Sequence, residues 1–104
     1  MQYESLDDQG SYISVNEVEG TIPVLFCHGV GLSSRIWYPQ IKFFENKQTT
    51  IVYDLLNHGH TTSYSRDLNF DDFSSQIDGL LQYLQYPKAN IVGFSLGALI
   101  TAHY

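Results

Sequence analysis

The sequence predicts an α/β domain, an antiparallel hairpin leading into a parallel βαβαβα unit in a three-layer sandwich. Three observations predict it. Short apolar and β-branched runs at 22–27, 49–53 and 90–94 suit strands buried on both faces. Segments whose apolar residues recur at helical spacing lie between and after them. Ahead of them, residues 11–18 alternate as a half-exposed strand does. Strands that alternate with helices build a parallel sheet with right-handed crossovers. Ligands then bind beyond the carboxyl ends of the strands. The loops after Cys27, Asp54 and Phe94 are therefore where chemistry is expected.

The hairpin pairs a strand over Gln2–Leu6 with residues 11–18, across a turn at Asp7-Asp8-Gln9-Gly10. Tyr12, Ser14, Asn16 and Val18 face one way, and Ile13, Val15 and Glu17 the other. After the run at 22–27, Ile36, Trp37, Ile41 and Phe44 predict a helix. Pro39 fits its first turn, where a missing N–H costs nothing. The run at 49–53 ends at Asp54. A polar loop then leads to a helix from Phe70, with Phe73, Ile77, Leu80, Leu81 and Leu84 along one face. Asn69 is its expected N-cap, Asp71 and Asp72 suit the positive end of the helix dipole, and Pro87 stops it. Residues 90–94 form a third buried strand, and 98–104 begin a last helix. Neither a repeat nor a linker interrupts this order, so residues 1–104 read as one domain.

Composition excludes several function classes. With 43% apolar residues among 104, the chain can build a modest core. A formal charge of -6 and no cluster of Lys or Arg argue against nucleic acid. The eight tyrosines are not interleaved with basic residues, as stacking on single strands would need. A single cysteine, Cys27, offers neither an internal disulfide nor a zinc site, and its place in a buried strand makes it inert. No apolar run approaches the roughly 20 residues that span a bilayer. The first residues lack a signal peptide's basic and apolar regions. The expectation is a soluble cytoplasmic protein with neither membrane nor nucleic-acid partner.

The loop after the third run reads Gly93-Phe94-Ser95-Leu96-Gly97. A G-x-S-x-G at a strand-to-helix junction is a nucleophile elbow, a turn sharp enough to strain the serine backbone. Gly93 and Gly97 let strand and helix approach without a Cβ collision. Ser95 then stands at a helix start, where backbone N–H groups favour developing negative charge. The pentapeptide alone is a weak signal. A second motif, His28-Gly29-Val30-Gly31, directly follows an earlier buried run and strengthens it. Such a loop supplies the other donor of an oxyanion hole. The two donors are read as the main-chain N–H groups of Val30 and Leu96.

These residues carry a resemblance. The runs Phe26-Cys27-His28-Gly29-Val30-Gly31-Leu32-Ser33-Ser34 and Trp37-Tyr38-Pro39-Gln40, then Tyr53-Asp54 with His58-Gly59-His60, and finally the elbow, stand in the order of the α/β-hydrolase superfamily. The chain resembles the branch of 3-oxoadipate enol-lactonase-like esterases, cofactor-free perhydrolases and meta-cleavage-product hydrolases. The resemblance implies a small-molecule ester, lactone or related acyl substrate, without cofactor or metal. It makes His28 a structural, hydrogen-bonded residue and Asp54 a brace for the turn that follows. Two positions depart from the pattern: Asn57 replaces a glycine, and His60 an arginine or small residue. Asn57 keeps the turn because asparagine tolerates left-handed backbone.

By the same resemblance an intact member is more than twice this long, so the chain reads as its N-terminal part. A serine hydroxyl needs a base and an orienting carboxylate. The fold supplies them in the order Ser, acid, His. Nine residues follow Ser95, none acidic. His103 lies about 12 Å along a helix, out of reach. His58 and His60 are spaced like metal ligands but lack a third partner, and a loop contact is the better reading. Trp37 is a candidate wall of the acyl pocket, the alternative being a core position. The intact protein is thus expected to be a serine hydrolase, and the 104 residues alone inactive. A ligand receptor without turnover, or an inactive remnant, is the competing reading. The strand at 90–94 is expected to expose an apolar edge and to make the chain alone marginal or insoluble.

Overall fold

The computed structural model describes residues 2–104. Strand β1 (Gln2–Leu6) pairs antiparallel with β2 (Tyr12–Asn16), and the Asp7 carboxylate closes their turn by accepting from the N–H groups of Gln9 and Ser11. Strands β3 (Val24–Cys27), β4 (Thr50–Tyr53) and β5 (Asn90–Gly93) run parallel. The sheet order is β1-β2-β4-β3-β5, with β2 antiparallel to β4. This is the predicted α/β architecture, a mixed five-stranded sheet between helical layers.

Two cores lie on opposite faces of the sheet, because side chains alternate along each strand. On one face Ile13, Val15, Leu25, Cys27, Ile51 and Tyr53 pack with Ile77, Leu80 and Leu81 of α2 (Phe70–Leu84) and Ile100 of α3 (Leu96–His103). On the other, Phe26 and Val52 meet Trp37, with Ile36, Ile41 and Phe44 alongside.

Helix α2 starts as predicted, with a capping box in which Asn69 and Asp72 each accept from the other's backbone N–H. It ends earlier than Pro87. Gln85 takes a left-handed φ of 64°, and the Tyr86 N–H returns to the Leu81 carbonyl.

Three expectations change. The helix after β3 is split into a 3₁₀ turn (Ser34–Trp37) and α1 (Tyr38–Phe44), with Pro39 in the first turn of α1. The last helix opens at Leu96 rather than at 98. Most consequentially, β5 is not buried on both faces, Val92 being 42% exposed, although its place at the sheet margin among the described residues is the expected one.

Candidate active site

The elbow forms between β5 and α3. Ser95 has φ 57° and ψ -119°, a region that costs a residue with a Cβ about 1–3 kcal/mol. The flanking glycines explain how the turn is this tight. A Cβ on Gly93 would lie 2.4 Å from the Gly97 carbonyl oxygen. One on Gly97 would lie 2.1 Å from the Cys27 carbonyl oxygen and 2.6 Å from that of His28. Strand β5, helix α3 and the end of β3 therefore meet backbone to backbone. The Phe94 N–H donates to the Cys27 carbonyl at 3.0 Å, which fixes the elbow to the loop after β3.

That loop lies against the serine. A Cβ on Gly29 would sit 3.1 Å from the Ser95 Cβ and 3.2 Å from the Phe94 carbonyl oxygen. Gly31, at φ 76°, closes a turn in which the Leu32 N–H donates to the Gly29 carbonyl at 3.2 Å. The N–H groups of Val30 and Leu96 make no hydrogen bond among the described residues, and neither does the Ser95 hydroxyl. Unbonded amides of this kind are available to receive a developing negative charge.

His28 is fully buried. Its Nε2 accepts from the Leu55 N–H at 3.0 Å, so the proton is on Nδ1, which donates to the Gly29 carbonyl at 2.7 Å. Both ring nitrogens are engaged, and neither is free to take a proton from Ser95. Burial pushes its pKa down, and the nearby His58 ring adds to this.

Asp54, also buried, accepts from the Ser34 N–H at 2.8 Å and the His60 N–H at 2.9 Å. It ties the 3₁₀ turn after β3 to the turn after β4. Gly59 passes so close that a Cβ there would meet the Asp54 carboxylate at 2.2 Å. Asn57 holds its turn in left-handed backbone at φ 61°. A cleft of about 460 Å³ opens beside Asp54, between Tyr12, Arg35 and His60, and Ser95 is not among its lining residues.

Trp37 stands in the smaller core, its ring centroid 4.9 Å from that of Phe26. At 9% exposure it offers a substrate little surface. His103 turns to the start of α2, where its Nε2 lies 3.0 Å from Asp71 Oδ1. Among the described residues, no group of His, Cys, Asp and Glu side chains is arranged to hold a metal ion. Sequence reasoning gave His58 no particular partner. Its Nε2 accepts from the Gly31 N–H, a contact between two loops that spacing along the chain does not encode.

Comparison with known proteins identifies the family of this fold. The model of the α/β hydrolase fold family matches residues 22–104. The chain is 34% identical over 79 residues to (E)-2-((N-methylformamido)methylene)succinate hydrolase of Acinetobacter baylyi, covering 76% of this chain and 30% of that protein. It is 30% identical over 76 residues to 3-oxoadipate enol-lactonase 2 of the same organism, covering 73% and 28%. The crystal structure of the enol-lactonase from Burkholderia xenovorans superposes with a TM-score of 0.79 at 20% identity, over 94% of this chain and 39% of that one. That last likeness is one of fold. The chain thus spans about 30% of the length of the curated relatives it matches. With its elbow, its glycine loop and a family match over most of its residues, the chain belongs to the α/β hydrolase fold family.

Proposed function

We propose that the intact protein hydrolyses small carboxylic esters or lactones through an acyl-serine formed on Ser95. The observation that carries this reading is the strained Ser95 backbone, at φ 57°, opposite the glycine loop after β3. Strain of this kind persists where the surroundings hold it for a use. The Ser95 hydroxyl attacks the carbonyl carbon, and the Val30 and Leu96 N–H groups receive the oxyanion. The alkoxide then departs, and water releases the acid by the reverse path. The proton leaving Ser95 goes to a histidine oriented by an acid, both placed after Tyr104. Gly93 and Gly97 shape the elbow, Gly29 and Gly31 the opposing loop, and His28 and Asp54 brace it. No cofactor enters.

The relatives named as an enol-lactonase and a succinate hydrolase support a small acyl substrate. Perhydrolysis and carbon–carbon bond hydrolysis would use the same residues. The 104 residues alone are expected to be inactive, because among the described residues no histidine or carboxylate is hydrogen-bonded to the Ser95 hydroxyl. The lone serine hydroxyl favours one second reading, a receptor that binds its ligand without turnover.

Steady-state hydrolysis of short p-nitrophenyl esters and γ-lactones by the product of the complete open reading frame separates the two. Hydrolysis is expected, with Ser95→Ala lowering kcat about 10⁴-fold or more. A wild-type protein with no turnover and one equivalent of bound acyl group would establish the receptor instead.

A further inference from the structure

The loops after β3 and β4 are joined by two histidines arranged reciprocally. His28, on the first loop, donates from Nδ1 to the carbonyl of its own neighbour Gly29 and accepts at Nε2 from Leu55 of the second. His58, on the second loop, donates from Nδ1 to its own loop's Leu56 carbonyl at 2.9 Å. It accepts at Nε2 from the Gly31 N–H of the first loop at 3.1 Å. The same tautomer is imposed on both rings, since a carbonyl only accepts and an amide N–H only donates. The ring centroids are 5.2 Å apart, edge to face.

We propose that His58 is a positioning residue for the loop opposite Ser95, holding the Gly31 N–H so that the adjoining Val30 N–H faces the serine. The plane that carries the Gly31 N–H joins the plane that carries the Val30 N–H only through the Val30 Cα, so anchoring the first leaves just the φ and ψ of Val30 to orient the second. The hydrogen bond exists only while Nε2 is unprotonated. A proton there would face the Gly31 N–H donor to donor, and the loop would be released.

The His28 ring faces His58 from the first loop. On its own loop, the Asp54 carboxylate accepts from two backbone N–H groups and lies 3.8 Å from Nδ1 of the exposed His60, whose ring centroid is 5.4 Å from that of Tyr12. From α2 the neighbour is the neutral Gln76, which accepts from the Leu56 N–H. The Val30 donor role rests on the reading in the preceding section, whereas the clamp does not.

Nuclear magnetic resonance of the ¹⁵N-labelled complete protein, recorded as the pH is lowered from the alkaline side, tests this. At the alkaline end, a scalar coupling across the Gly31 N–H···Nε2 bond of His58 is expected. It should vanish on acidification as the Val30 amide resonance shifts with it. His58→Gln supplies a carbonyl acceptor that does not titrate, so its Val30 amide should stay still over the same interval. His58→Phe keeps a ring without an acceptor. In the complete protein it should slow fluorophosphonate modification of Ser95 about tenfold or more relative to His58→Gln. An absent coupling at the alkaline end, or a Val30 amide that titrates alike in wild type and His58→Gln, would overturn the proposal. So would equal modification rates in the two variants. A Val30 amide that follows His58 in a protein whose Ser95 never reacts would support the clamp and sink the serine-nucleophile reading.

Discussion

Ser95 illustrates how one residue's chemistry is set by the backbone around it. Its φ of 57° is maintained by Gly93 and Gly97, which leave no room for any other packing of β5, α3 and the end of β3. Glycine adopts that conformation freely, so Ser95→Gly should release about 1–3 kcal/mol of strain. Against this stands about 0.5–1 kcal/mol for ordering a glycine. A net gain of about 1 kcal/mol corresponds to a melting temperature higher by about 4–8 °C. Calorimetry of the variant reads this directly, and a lower melting temperature would mean that the turn is not strained.

His28 sets the second expectation at this scale. Its folded-state pKa lies below the ordinary value because burial disfavours the imidazolium. The unfolded chain therefore binds the proton first, and stability rises with pH. The contribution is complete above about pH 6.5 and is lost as pH falls from there through the folded pKa. Urea unfolding across this range should show less pH dependence in His28→Asn than in wild type, on a lower baseline. Residues were the most legible scale in the sequence where a motif fixes both a position and a geometry, as Gly93, Ser95 and Gly97 do. His58 was illegible there because its partner, Gly31, is 27 residues away on another loop.

Among the elements, strands and the capped helix α2 could be read because their signals are local. Periodic apolar residues name α2, and Asn69 with Asp72 marks its start. The split after β3 could not be read this way. Ser34 is held by the Asp54 carboxylate, 20 residues away, and that contact fixes where the 3₁₀ turn begins. The open edge at β5 is the expected one, whereas its exposed faces are not, because an apolar run reports what a strand is suited to contact and not what covers it. Its outer margin carries unpaired backbone groups beside Val92 and the exposed Phe94, the arrangement that promotes strand-to-strand association. The 104-residue chain should therefore self-associate as its concentration rises, and Val92→Lys should reduce this in sedimentation velocity. Monomers at every concentration in wild type would count against it.

For the whole molecule, the sheet works as a frame that brings three loop ends to one side. Strands β3, β4 and β5 are parallel, so the glycine loop, the Asp54 turn and the elbow emerge together. The backbone contacts of Gly29 and Gly97 and the ring contacts of His28 and His58 then lock those loops to one another. The proposed nucleophile and its two amide donors thus come from two loops that the topology makes neighbours. The most direct test is peptide mapping by mass spectrometry after the complete protein meets a fluorophosphonate. A single adduct on the peptide containing Ser95, absent in Ser95→Ala, is the expected result. Ester turnover that survives Ser95→Ala, or an adduct on any other residue, would contradict it.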